Sequence, residues 1–140
     1  ALTLARQTLA QANAALAERF SPRLVREASE IFSELTGGRY ARVQISRQME
    51  LEAGQPDAAM RRSLFLSGGT ADELYLSVRL AVCRLLLPED APLLLDDALV
   101  MFDDDRLRLA LRLLQREAAN RQILLFTCQH REQKALTTDL

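Results

Sequence analysis

Residues 66–70, which read Leu-Ser-Gly-Gly-Thr, have the composition of a phosphate-binding loop. The two glycines lack Cβ atoms and let the backbone approach a ligand closely, while Ser67 adds a hydroxyl donor. A helix is predicted directly after them, and a helix start presents unpaired N–H groups and a positive dipole end. A short glycine motif is weakly specific, because the same residues fit an ordinary loop before a capped helix. In that alternative, Thr70 and Glu73 form a capping box.

A pair of acids, Asp96 and Asp97, follows the apolar run of residues 92–95. Such a run predicts a buried strand, and α/β proteins bind ligands at the carboxyl ends of their strands. One carboxylate there can hold Mg²⁺, usually through water, while a second orients an attacking water. The competing interpretation is a solvated acidic turn.

Three further acids, Asp103, Asp104 and Asp105, come directly before another predicted helix. Acids at this place can cap the helix and favour its positive end, so Asp104 and Asp105 are interpreted mainly as structural residues. Five aspartates within residues 96–105 also fit a different class, the isoprenoid synthases, whose aspartate-rich pairs bind Mg²⁺-diphosphate. That class is all-helical, whereas the first pair here follows a predicted strand.

A polar segment, residues 127–130 (Thr-Cys-Gln-His), ends the apolar run of residues 123–126. It contains Gln129 and the single histidine of the chain, His130. A lone histidine is more often an incidental surface residue than a catalytic one. Cys128 could act as a nucleophile only with a base and an orienting group, and the sequence indicates neither.

The elements that must position these segments alternate between helix and strand. We predict a helix over residues 71–87, a strand over 92–95, a helix over 104–118, a strand over 123–127 and a short closing helix. This alternation is typical of parallel β/α units, whose strands are buried on both faces. Upstream, the pattern predicts two strands, around residues 40–45 and 49–51, and a loop over residues 54–63.

The first part of the chain is predicted to be a helical arm. Its apolar residues follow a heptad pattern, namely Leu2, Ala5, Leu9, Ala12 and Leu16. Two heptads fit a coiled-coil seam but equally an amphipathic surface helix. The Ser-Pro pair at residues 21–22 restarts the helix, and Gly37 and Gly38 end it. Since the first residue is alanine, we expect the chain to be a piece of a longer protein.

Composition places the chain among ordinary globular domains. It has 140 residues, near the modal size of one domain, with 49% apolar and 26% charged residues. Its net charge of −1 gives no global basic footprint for nucleic acid, and two cysteines with one histidine are too few for a zinc site. No apolar run has transmembrane length and no signal peptide is recognised, so a cytoplasmic location is expected.

The order of these segments is more specific than any one of them. The stretches LSGGTADELYLSVRLA, PLLLDDALVMFDDDR and QILLFTCQHRE resemble the C-terminal half of an ABC-type ATPase head of the SMC/RecN/SbcC kind, which includes YhaN-like proteins. The resemblance covers essentially the whole chain. It implies an α/β fold, the C-terminal lobe of a P-loop ATPase head at residues 36–140, with the end of a coiled-coil arm at residues 1–35.

The resemblance also implies residue roles. Ser67, Gly68 and Gly69 match the signature motif, which in this family contacts the γ-phosphate of ATP held by the opposite head. Asp96 matches the Walker B acid on the Mg²⁺ side, and Asp97 takes the place of the catalytic base, where the family often has glutamate.

The resemblance implies roles for two further parts of the sequence. Asp103 falls at the D-loop, which faces the partner head. The family's switch histidine usually follows a threonine at the end of the last strand. Here Cys128 follows the threonine. Either His130 replaces the switch histidine from a shifted position, or Gln129 supplies the polar side chain of the switch.

The chain contains no G-x-x-x-x-G-K-[ST] loop, the lysine-bearing phosphate cradle called Walker A. In the resembled family that loop lies in an N-terminal lobe, joined through a coiled coil. The resemblance therefore implies a chain that is inactive alone. With its N-terminal lobe it would bind ATP and Mg²⁺ and hydrolyse ATP between the two heads of a homodimer, in DNA repair or chromosome maintenance. The alternative is a non-catalytic dimerisation or regulatory module that keeps the fold.

Overall fold

The computed structural model describes residues 6, 8, 22–46, 50–88 and 90–138. Its elements, in chain order, are helix α1 (described over 22–35), β1 (Arg42–Ile45), β2 (Leu51–Gly54), β3 (Arg61–Arg62), a 3₁₀ turn (Ser63–Phe65), α2 (Gly68–Leu86), β4 (Leu93–Asp96), α3 (Asp104–Glu117), β5 (Ile123–Phe126) and α4 (His130–Thr138). Among the described helices, none is long and apolar enough to cross a membrane. The predicted alternation of helix and strand is confirmed from α2 onward.

Helix α1 ends where the glycines predict. Gly37 and Gly38 have φ angles of 60° and 81°, a left-handed conformation that costs glycine little. The Gly38 N–H donates to the Ser33 carbonyl at 2.7 Å and the Gly37 N–H to the Glu34 carbonyl at 3.1 Å, which is the Schellman pattern. The heptads predicted for residues 2–16 lie outside the described residues, apart from positions 6 and 8, which are helical.

Strands β1, β2 and β3 form an antiparallel sheet in that order. Val43 pairs with Ala53, and the side chains of both are buried against the core. The loop predicted for residues 54–63 is wrong at both ends, because Gly54 closes β2 and Arg61–Arg62 adds to its other edge. A strand of two residues has no periodicity to detect, so only its pairing partner defines it.

Strands β4 and β5 are parallel, with Leu93 opposite Ile123 and Asp96 opposite Phe126. The prediction that such strands are buried on both faces is wrong for the described residues. Leu93 is buried, but Phe126 is 53% exposed, and alternate residues of both strands face outward. An apolar run indicates that both faces of a strand become buried, but it does not show whether the residues that bury them belong to this chain.

One cluster of buried apolar residues joins the helices to both sheets. Its largest fully buried members include Phe32, Ile31, Leu35, Leu74, Leu80, Leu95, Leu99, Phe102 and Leu113. At the periphery, Arg84 of α2 pairs with Glu27 of α1 at 3.3 Å and with Glu117 of α3. The core thereby fixes the start of α2, the end of β4 and the start of α3 relative to one another.

Candidate functional site

The glycine loop, residues 66–70, forms the start of α2. The helix begins at Gly68, three residues earlier than predicted, and Ser67 precedes it with extended backbone (φ −64°, ψ 153°). The predicted capping box is wrong: Thr70 lies inside the first turn, where its hydroxyl meets that of Ser67 at 2.9 Å. Ser67 and Gly68 are exposed, so the Ser67 hydroxyl and the backbone at Gly68 are accessible to an anion, whereas Gly69 and Thr70 are buried.

Close packing explains the second glycine of this loop. A Cβ atom at Gly69 would lie 2.9 Å from the Met101 carbonyl oxygen and would overlap the guanidinium of Arg106. Any larger residue would push the loop away from the stretch that connects β4 to α3. The structure thus brings the predicted signature residues against the segment that contains the predicted D-loop.

Arg106 connects these two segments, and sequence reasoning missed it. Its Nη2 donates to the Thr70 hydroxyl at 3.2 Å, and its Nε lies 3.6 Å from a Glu73 carboxylate oxygen and 3.4 Å from one of Asp103. Asp103 is also the N-cap of α3, since its carboxylate accepts the Arg106 backbone N–H at 2.9 Å. The predicted D-loop acid therefore has a structural contact of its own.

Glu73 is a buried carboxyl, with 1% of its surface exposed. Burial raises the pKa of Glu73 from 4.5 to about 7, while the positive charge of Arg106 lowers it and the negative charge of Asp103 raises it. Helical spacing could have revealed this burial, because Ser77 and Leu80 lie on the same face of α2 and are also buried.

The acidic pair ends β4, as predicted. Asp96 is exposed at the end of the strand, and Asp97 follows with a φ of 45°, a left-handed conformation that aspartate tolerates. The Asp97 N–H donates to the Phe126 carbonyl at 2.9 Å, and its carboxylate accepts the Cys128 N–H at 3.1 Å. Because the pair closes a strand in a mixed fold, the all-helical alternative is excluded.

The segment after β5 lies beside this acidic pair. The Gln129 N–H donates to the Thr127 hydroxyl at 3.0 Å, and His130 is exposed as the first residue of α4. The next residue, Arg131, donates to the carbonyls of residues 99 and 100, at 3.2 and 3.0 Å. These contacts hold the predicted switch segment against the loop that follows Asp97, while the roles of Gln129 and His130 stay predictions.

An open cleft of about 180 Å³ separates Asp97 from α2. Its α2 wall includes Asp72, Tyr75 and Arg79. Asp97 therefore faces a space that a polar ligand can enter. Among the described residues, no group of three or more His, Cys, Asp or Glu side chains could hold a metal ion unaided.

Solved SMC heads share this arrangement of elements. A structure from work on ATP-driven dimerisation and DNA-stimulated activation of SMC ATPases matches with a TM-score of 0.71 and 19% identity, over 86% of this chain and 76% of that one. The Smc head domain with a coiled coil and joint from Pyrococcus yayanosii matches with a TM-score of 0.70 and 17% identity, over 92% and 26%. The chain has the fold of an SMC-type ATPase head. The predicted α/β class and the resemblance to the C-terminal lobe of such a head are thereby confirmed.

A sequence relative points the same way. The uncharacterized protein YhaN of Bacillus subtilis (strain 168) is 36% identical over 110 residues, which are 76% of this chain and 11% of that protein. The chain thus spans about a tenth of the relative's length. No protein-family model matches the chain. Within the SMC-type head fold, the glycine loop occupies the start of α2, and the acidic pair occupies the carboxyl edge of the parallel strands.

Proposed function

We propose that this chain is the signature and Walker B half of an SMC-type ATPase, which binds ATP between two heads and hydrolyses it when joined to a Walker A lobe. One observation carries the proposal. The glycine loop contacts the start of α3 through Thr70 and Arg106, while the acidic pair closes β4 in a chain with the SMC-head fold. Fold alone does not give function, so the polar groups at these two places support the assignment.

The glycine loop would bind the phosphate end of a nucleotide held by the opposite head. Ser67 is exposed at the helix start, where its hydroxyl and the first-turn N–H groups can donate to phosphate oxygens. The helix dipole favours negative charge at the same point. Asp103, exposed at the start of α3, would face the partner head at the D-loop position.

The acidic pair would bind the metal ion through Asp96 and orient the attacking water through Asp97. Mg²⁺ in nucleotide sites is held by one or two carboxylates together with phosphate oxygens and waters, so the exposed Asp96 carboxylate fits it without a three-residue cage. Bound there, Mg²⁺ would neutralise developing phosphate charge. Asp97, beside the open cleft, would accept a hydrogen bond from the water, with Gln129 or His130 as its polar neighbour.

The uncovered face of β4 and β5 supports a missing lobe as partner. Leu94 is 55% exposed, Leu124 38% and Phe126 53%, all on alternate positions of the two strands. An apolar patch of this kind marks an interaction surface. A Walker A lobe of the same protein would cover this face, and a second head would complete the nucleotide site. DNA is the proposed binding partner, by analogy with SMC ATPases.

The test replaces Ser67 with arginine in the full protein that contains the Walker A lobe. A bulky cation would block the close approach of phosphate, so Ser67→Arg should abolish ATP-dependent dimerisation, measured by light scattering with and without ATP. The melting temperature should change little, because Ser67 is exposed. Thr137→Arg, the same kind of change on the exposed face of α4, is the matched control. Dimerisation that persists in a folded Ser67→Arg protein contradicts the proposal.

A second candidate function is a dimerisation module that binds ATP without hydrolysing it. The observation that favours it is the Asp97 carboxylate, which already accepts the Cys128 N–H and is shorter than glutamate. The full protein decides between the two: ATP-dependent dimers without phosphate release favour the module, whereas release of phosphate favours the ATPase.

A further inference from the structure

We propose that Arg106 is a positioning residue that fastens the glycine loop to the start of α3, so that Ser67 and Asp103 move as one unit. The inference rests on the proposed function, because it concerns how two nucleotide-facing segments of that site are held together. Arg106 itself would touch neither the nucleotide nor the attacking water.

On one side, Arg106 is connected to the glycine loop by two successive hydrogen bonds. Its Nη2 donates to the Thr70 hydroxyl at 3.2 Å, and that hydroxyl meets the Ser67 hydroxyl at 2.9 Å. The guanidinium also occupies the space that a Cβ at Gly69 would need. The orientation of the Ser67 hydroxyl therefore depends on where the guanidinium lies.

On the other side, Arg106 holds the start of its own helix. The carboxylate of Asp103 accepts the Arg106 backbone N–H at 2.9 Å and lies 3.4 Å from the guanidinium Nε. One residue thus contacts Asp103 through backbone and side chain together. A shift of α3 would pull the guanidinium away from Thr70, or carry the glycine loop with it.

Glu73 forms an ion pair with the Arg106 guanidinium and helps to hold it in place. Its carboxylate is 1% exposed and lies 3.6 Å from the Arg106 Nε, and its Oε1 has no hydrogen bond in the described structure. Removing Arg106 alone would leave a buried carboxyl without its cation, which destabilises a protein for reasons unrelated to positioning. A sharp test must therefore separate charge compensation from positioning.

The shape of arginine is what the arrangement requires. Thr70 accepts a hydrogen bond from Nη2, while carboxylate oxygens of Glu73 and Asp103 lie 3.6 and 3.4 Å from Nε, so the planar guanidinium contacts all three through two of its nitrogens. A lysine ammonium at position 106 would still compensate Glu73 as a point charge. It would not serve Thr70 and Asp103 at the same time.

The experiment uses the full protein with its Walker A lobe and compares two variants. Arg106→Gln combined with Glu73→Gln removes the buried carboxyl together with the guanidinium that compensates it, so the melting temperature should stay near that of the wild type. Hydrogen–deuterium exchange over residues 66–71, where the Leu66 N–H donates to the Ser63 carbonyl at 3.1 Å and the Ala71 N–H to the Ser67 carbonyl at 2.8 Å, should nevertheless rise about tenfold, because the loop has lost its contact with Arg106. ATP-dependent dimerisation should weaken by about tenfold or more. Arg106→Lys should show the same loss of protection.

Arg108→Gln is the matched control, since Arg108 lies on the same helix and pairs with the exposed Asp105 at the same spacing. It should change neither exchange nor dimerisation. Wild-type exchange over residues 66–71 in the double variant overturns the inference. A wild-type protein that does not dimerise with ATP contradicts the proposed function instead, and the exchange measurement still supports or overturns the role of Arg106.

Discussion

Asp97 combines an exposed position with a fixed backbone and a fixed side chain. It is exposed, its backbone is left-handed at φ 45°, and its carboxylate accepts the N–H of Cys128 from the neighbouring strand end. The residue is therefore fixed in place by backbone and side chain while it faces the open cleft. Such fixed polar groups are what a water-orienting role requires.

Asp97→Asn should separate hydrolysis from dimerisation. Asparagine tolerates the left-handed conformation and keeps an oxygen that can accept the Cys128 N–H, so the fold should persist. Loss of the negative charge should lower ATP hydrolysis by about a hundredfold or more in the full protein. Phosphate release and light scattering measure the two properties, and Asp105→Asn is the control. Normal hydrolysis by the variant would show that another residue orients the water.

Glu73 should make the stability of the chain depend on pH. Its pKa in the folded chain, about 7, is higher than its ordinary value of 4.5. Between these two pH values the folded state binds more protons than the unfolded state, so stability falls as pH rises from about 4.5 to about 7. Glu73→Gln should remove this decline, which is on the order of 2–3 kcal/mol.

Urea unfolding at a series of pH values from acid to neutral measures this effect. Glu30→Gln, a change at an exposed position of α1, is the control and should keep the wild-type slope. If Glu73→Gln and the wild type lose stability in parallel as pH rises, the buried carboxyl is not the source of the slope.

At the scale of elements, the start of α2 packs closely against the segment before α3 because Gly69 has no side chain. Gly69→Ala should cost about 1–3 kcal/mol, because the new Cβ would meet the Met101 carbonyl and the Arg106 guanidinium. At Gly68 the new Cβ would meet only the flexible end of Met101, at 3.2 Å. Since alanine is the better helix former, Gly68→Ala should be neutral or stabilising. Denaturant unfolding compares the two, and equal effects would contradict the packing argument.

The elements that the sequence predicted well are those with long periodic patterns or strong stop residues. Helix α3 and the end of α1 at Gly37 and Gly38 follow from spacing and glycine alone. The start of α2 was misplaced, because Thr70 and Glu73 fit a capping box locally while their side chains are engaged by Ser67 and Arg106. Tertiary contacts outweighed the local pattern there.

The sequence predicts the separate segments of the candidate site, but not the side-chain contacts that connect them. Composition and order single out Ser67, Asp96 and Asp97 as candidates, and the structure places each at a helix start or strand end. Arg106 and Glu73 were missed as a pair because they lie on different helices, α3 and α2. A charged pair that is brought together by packing has no fixed spacing along the chain for a pattern to detect.

At the scale of the whole molecule, the outward face of β4 and β5 suggests that the described residues are one side of a larger interface. Phe126→Ser should weaken association with a separately produced Walker A lobe by about tenfold or more. Stability of the chain itself should change little, because Phe126 is already 53% exposed. Titration calorimetry measures the association. Leu64→Ser, at a residue 78% exposed and outside this sheet, is the control. Equal binding by Phe126→Ser and wild type would place the lobe elsewhere.

The parallel pairing of β4 and β5 also sets an order of assembly. Leu93 pairs with Ile123 across the whole of α3, whereas Ile45 pairs with Leu51 across a short connection. Closing a long loop costs entropy before any contact repays it, so the local hairpin should form early and the parallel pair late. The hydrogen bond between Asp97 and Cys128 spans that same late closure. During refolding, helical signal should therefore return before the acidic pair reaches its final geometry, and any site that uses Asp97 would be completed last.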